Sequence, residues 1–176
     1  MGGTGVAAVT ATPTTASFGN EVIGKKSAAS KITVTNNQKA ALTLNSITTS
    51  LSDYSTTTTC PLTPNALASG SICTVSVFFT PAAAGLRSAS LTVNDNASVS
   101  PTVALSGTGI VPVVVSPSSL SFGSQAKGTT SAAQSLTLTN NQSTALTIAS
   151  ITPSLSDYVV TSTCPVTCRR LQLARA

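Results

Sequence analysis

Four cysteines and four carboxylates are the side chains of this 176-residue sequence that could do covalent, metal or acid–base chemistry, and there is no histidine. Without histidine, neither a Ser-His-Asp nor a Cys-His arrangement can form. The acids are Glu21, Asp53, Asp95 and Asp157. Asp53 and Asp157 stand at equivalent places in a repeated motif, hence in different domains. They are not the carboxylate pair at ~5–9 Å that glycoside hydrolysis needs. No motif supports a Ser-Lys dyad. Asn94-Asp95-Asn96 offers a single carboxylate, a poor start toward the six to eight oxygens calcium takes, and reads as a hairpin turn. The sequence therefore predicts no catalytic, cofactor-binding or metal-binding residues, no cofactor and no enzyme.

The cysteines need their own account. Cys60 and Cys73 would close a loop of about 14 residues, for which the chain-entropy treatment gives about 3 kcal/mol. A disulfide is the expectation, and it implies an oxidising compartment; a buried pair of free thiols is the alternative. Zinc would need all four thiolates, yet the two pairs lie about 90 residues apart, in different repeats. Cys164 corresponds to Cys60 but has no counterpart of Cys73. It is expected to be unpaired or irregular, as is Cys168, and an odd thiol is a route to intermolecular disulfides.

What must position these residues is a repeat. Ser50-Leu51-Ser52-Asp53-Tyr54 with Thr59-Cys60-Pro61 returns as Ser154-Leu155-Ser156-Asp157-Tyr158 with Thr163-Cys164-Pro165. Residues 3–63 align without a gap on 107–167, with 33 identities in 61 positions. A self-match at that distance marks a tandem array of one domain. The period suits an all-β sandwich of about 100 residues, and the Val, Ile and Thr of the patterned segments suit strands. Strands are expected at residues 6–12, 31–35, 41–48, 72–79, 86–93 and 99–105. The strongest is 72–79, where Cys73, Val75, Val77 and Phe79 share one face. Gly19 and Gly24 are read as turns. Asn36-Asn37-Gln38 is read as a polar turn whose Asn residues tolerate left-handed backbone. Asp53 is read as a turn cap. The expected core comprises Phe18, Tyr54, Val75, Val77 and Phe79, with Phe122 and Tyr158 in the second copy; a buried Phe contributes about 2–3 kcal/mol.

The domains expected are residues 1–109, a complete repeat whose first residues close a preceding one; 110–167, a partial second repeat; and 168–176, an atypical basic tail. The tail matches nothing in the first copy; the expectation is a truncated or frame-shifted end, and a native basic tail is the alternative. Taken alone, the half-sandwich of the second copy is expected to fold poorly and to leave sheet edges and an apolar face open.

The net charge of +5 could suggest nucleic acid, but Arg169, Arg170 and Arg175 fall in the last eight residues. The rest is thinly spread, and aromatics to stack bases amount to 3%, so no nucleic-acid partner is expected. The longest apolar stretch, 110–115, is far short of the ~20 residues of a membrane span. No direct membrane insertion is expected, and no leader is visible at the start.

The motifs together resemble a known family. Phe18-Gly19, Gly24, Thr35-Asn36, Asp53-Tyr54, Cys60, Cys73-x-Val75-x-Val77-x-Phe79-x-Pro81, Gly85-x-Arg87, Leu91-x-Val93 and Ser106-Gly107-Thr108-Gly109 are similar to the ASPM/SPD-2/Hydin-type (ASH) immunoglobulin-like domain. More closely, they resemble its bacterial form, found in tandem in the surface proteins called choice-of-anchor D. The resemblance covers all of the first copy and about 60% of the second. It implies an immunoglobulin-like β-sandwich of about seven strands, in tandem with an incomplete second copy. It also implies a non-catalytic spacer at the bacterial cell surface, in the secreted fraction or in the periplasm, whose partners are neighbouring repeats of the same chain. The alternative it leaves is an adhesive accessory module binding a protein or glycan. The eukaryotic members imply a third role, protein interaction at cilia and centrosomes.

Overall fold

The computed structural model describes residues 7–97 and 99–165. The chain divides into two compact units, Met1–Pro112 and Val113–Ala176.

The first unit is a β-sandwich of two four-stranded sheets. Its strands are β1 (Val9–Thr12), β2 (Thr15–Val22), β3 (Ser30–Asn36), β4 (Leu44–Thr49), β5 (Tyr54–Thr58), β6 (Ile72–Phe79), β7 (Gly85–Asp95) and β8 (Thr102–Ile110). One sheet has the order β1-β3-β6-β5 and the other β2-β8-β7-β4. The core between them follows from alternation. Along β6, Cys73, Val75, Val77 and Phe79 are buried while the residues between them are half-covered or exposed. Ile32 and Val34 on β3, Leu91 and Val93 on β7, and Val103 and Leu105 on β8 meet them. Side chains on one face of a strand repeat every second residue, so each strand contributes one apolar row. The expected core residues Tyr54, Val75, Val77 and Phe79 are buried, and Phe18 packs against them half-buried.

Two strands were not read from the sequence. β5 is a run of threonines with little apolar alternation. β2 runs straight through Gly19, which is a bulge and not a turn. Its pairing with β8 slips between Ser17 and Asn20, where Gly19 takes φ 65°, a left-handed conformation glycine adopts without a Cβ clash. β1 and β2 are one path interrupted at Pro13: β1 pairs antiparallel with β3 in one sheet, and β2 pairs parallel with β8 in the other.

The second unit holds β9 (Val113–Ser116) and β10 (Thr137–Asn140), paired antiparallel. Val113 faces Asn140 just as Val9 faces Asn36, so the register of β1 on β3 is reproduced at an offset of 104 residues. Beyond that pair the second unit holds no further strand among the described residues. None of residues 111–165 is buried. Phe122 and Tyr158 touch, with ring centroids 5.9 Å apart, but Tyr158 is 50% exposed. Phe122 is half-buried, as Phe18 is. As a core residue of the second copy Tyr158 is therefore corrected: the strands that bury Tyr54 in the first copy have no counterpart among the described residues.

Candidate functional site

The repeated motif builds a corner that joins the two sheets of the first unit. Tyr54 opens β5 and faces Phe79 at the end of β6. Their rings stack at 4.9 Å, and Phe18, reaching over from β2, lies 5.6 Å from Tyr54 and 5.9 Å from Phe79. Aromatic pairs at these separations add to the stability their buried area gives. The Tyr54 hydroxyl donates to the Arg87 carbonyl at 2.6 Å, which satisfies the one polar atom of an otherwise apolar plug. Burial, with the nearby Asp53 charge, raises the Tyr54 phenol above its ordinary value.

Asp53 is more than a turn cap. Its carboxylate is buried and accepts two hydrogen bonds from the Arg87 guanidinium, Nε at 2.6 Å and Nη2 at 3.2 Å, and one from the Ala82 amide at 3.3 Å. The Asp53 carbonyl accepts from the Thr80 amide at 2.7 Å. The hydrogen bond from Arg87 is the main cause that holds the Asp53 carboxyl below its usual value, against the opposing effect of burial. A two-point Arg–carboxylate contact fixes orientation as well as charge. It ties the turn before β5 to β7, in the opposite sheet.

β8 crosses beneath this cluster, and here the glycines of Ser106-Gly107-Thr108-Gly109 find their reason. A Cβ on Gly107 would lie 2.5 Å from the Phe79 ring, and one on Gly109 would strike the Ala83 carbonyl. The strand passes so close that only glycine fits at either place.

Cys60 and Cys73 form a disulfide, with Cα atoms 4.9 Å apart. It ties the segment leaving β5 to β6. Cys164 is a free, half-buried thiol. Cys168 lies outside the described residues.

Asn36 was expected in a turn for its backbone tolerance. No non-glycine residue takes a positive φ among the described residues, so the reason lies in its side chain. Asn36 is fully buried at the end of β3. Its amide nitrogen points at the carbonyls of Ala40, Leu67 and Ala68, and its Oδ1 accepts from the Gln38 amide. The residue clamps a long loop, and each partner removed would leave a buried polar group unpaired. The counterpart, Asn140, is exposed yet keeps two local bonds, to the Thr144 carbonyl and from the Gln142 amide.

Asp95 hydrogen-bonds the Ala97 amide at its turn. No cluster of three or more Cys, Asp or Glu that could hold a metal occurs among the described residues. An open depression of about 310 Å³ lies beside β2, lined by Ser17, Phe18, Glu21 and residues 27–30. It brings one carboxylate together with hydroxyls and methyls. The arrangement of the corner, by contrast, is mechanical: its ion pair and rings join the two sheets, and its disulfide closes the β5–β6 side of one of them.

No known family matches the sequence, and no curated protein does. Among solved structures, the chain is similar to an ASH / PapD-like domain of human CEP192, at 15% identity and TM-score 0.48, over 59% of this chain and 86% of that one. It is similar to the Vibrio cholerae VesB protease, at 23% identity and TM-score 0.44, over 53% of this chain and 30% of that one. A Porphyromonas gingivalis W83 protein of unknown function gives 14% identity and TM-score 0.44, over 58% of this chain and 49% of that one. These are partial likenesses, and the architecture stated above stands on the strand pairing itself.

Proposed function

We propose that this chain is a non-catalytic structural repeat, an ASH-type immunoglobulin-like spacer of the bacterial choice-of-anchor D kind, in a secreted or cell-surface protein. The observation that carries this reading is the use made of the repeated motif. Asp53, Tyr54 and Cys60, the residues that could have formed a site, are all engaged inside the domain, with Arg87, Phe79 and Cys73. The disulfide favours an oxidising compartment. Its partners are neighbouring repeats.

An adhesive module would present exposed aromatics to its ligand, and Tyr54 is turned inward. Two measurements test the spacer reading. Thiol titration of the purified, denatured protein should find Cys60 and Cys73 blocked until a reductant is added. A panel of glycans and peptides should show no micromolar binding to the folded first unit; a saturable ligand at that affinity would replace the spacer with the adhesive module.

A further inference from the structure

The depression beside β2 lies where the first unit's two sheets part. β1 leaves the edge of β3 at Thr12, opposite Thr33, and the path continues as β2 in the other sheet. Ser30, Lys31 and Ile32 therefore have no β1 partner. The lining comes from β2, with Ser17, Phe18 and Glu21, and from residues 27–30, the run into β3. Its chemistry is one-sided. Glu21 is half-buried, and its carboxylate has no ion-pair partner among the described residues, where Arg87 pairs with Asp53. The neighbouring lysines do not fill the place. The Lys26 ammonium lies over the Phe78 ring, 3.7 Å from its centroid, and Lys31 stands on the face of β3 opposite to the buried Ile32. Phe18 and Gly19 sit in the bulge of β2, without register partners on β8.

The second copy shows which groups this lining takes. Its counterparts are identical at every lining position but two: Gln125 replaces Glu21, and Gln134 replaces Ser30. Both glutamines donate side-chain N–H groups to the backbone of the same motif, Gln125 to the Phe122 carbonyl at 3.3 Å and Gln134 to the Ser121 carbonyl. The first copy has neither donor. A serine is too short to follow Gln134, and an ionised carboxylate only accepts. Where the second copy supplies its own N–H groups, the first offers acceptors, one negative charge and part of a ring. We propose that this depression is a binding site for a guanidinium group, of the kind an arginine side chain presents. The planar cation can meet the Glu21 carboxylate at two points and direct its other N–H groups to the Ser17 and Phe18 carbonyls. Its flat face suits the Phe18 ring. The site is open and its anion single, so half-saturation falls on the order of 1 mM. The spacer reading, tested at micromolar affinity, stands or falls separately.

The probe is butylguanidinium, titrated into the full chain and followed by amide NMR shifts. Shifts at Gly19, Glu21 and residues 28–30 should saturate together. Glu21→Gln should weaken binding at least about tenfold. Ser30→Gln, which restores the donor of the second copy, should weaken it as well. Unchanged shifts at Tyr54 and Phe79 in both variants will show that the sandwich is intact. Two analogues separate the parts of the interaction. Butylurea keeps N–H donors without the charge, and butyltrimethylammonium keeps the charge without N–H donors. Neither should saturate these shifts in the same range. Binding that survives Glu21→Gln undiminished would overturn the proposal, as would binding undiminished in Ser30→Gln. An equal response to butyltrimethylammonium would also overturn it, by reducing the site to a diffuse effect of charge.

Discussion

The two copies of Ser-Leu-Ser-Asp-Tyr reach different ends from nearly the same residues. In both, the Tyr amide bonds back to the Leu carbonyl, and the Cys amide bonds to the hydroxyl two residues before it. In both, the first strand pairs with the next in the same register. These features need only residues from the aligned stretches, 3–63 and 107–167, that both copies contain. What differs is everything that comes from farther along: the aromatic stack on Phe79, the ion pair with Arg87, the parallel ladder of β2 on β8, and the disulfide. Tyr54 is 3% exposed and Tyr158 50%. The motif therefore specifies a local shape, and burial comes from the strands that close over it. An isolated two-stranded ribbon is marginal in water for the same reason.

The largest test of this contrast is hydrogen exchange. Amides of β3 and β6 should exchange only through global opening, while those of β9 and β10 should exchange orders of magnitude faster through local opening. Equal protection of both units would end the comparison. Next, Tyr54→Ala should destabilise the first unit by on the order of 3–5 kcal/mol, the range for large aromatic deletions. Tyr158→Ala should leave the main denaturant midpoint where it is. Third, Cys73→Ser should lower the first unit's stability by about 3 kcal/mol and leave Cys60 titratable, as Cys164 already is. The smallest effect concerns acid. The Asp53 carboxyl is held below its ordinary value, so the stability it contributes is present above the unfolded value near 3.8 and is lost as pH falls through the folded one. Arg87→Met should flatten that acid limb; an unchanged pH profile would separate Asp53 from Arg87.

Much of the sandwich was legible because alternation is local. The row Cys73, Val75, Val77, Phe79 announces its own strand and face. The strand at β5 was not legible, since threonine serves loops and strands alike. Gly19 misled because a turn and a bulge make the same demand for positive φ. Asn36 and Asp53 were recognised as structural, but for the wrong reason. Asn36 bonds carbonyls more than thirty positions away, and Asp53 finds its arginine 34 positions on. No periodicity connects such pairs. The two glycines of β8 were visible as a motif, but their cause is the Phe79 ring and the Ala83 carbonyl, which only the packed chain supplies.

The parallel pairing of β2 with β8 gives the first unit a way to carry tension. Thr15 lies opposite Ala104 and Val22 opposite Ile110, so the chain enters β2 at one end of the ladder and leaves β8 at the other. A pull on the two ends draws these strands past each other lengthwise. The rungs between them are then loaded together and not opened one after another, as they would be in an unzipping hairpin. Such a domain yields at a force set by the height of its unfolding barrier, and a tether built from such repeats would resist stretching through the β2–β8 ladder.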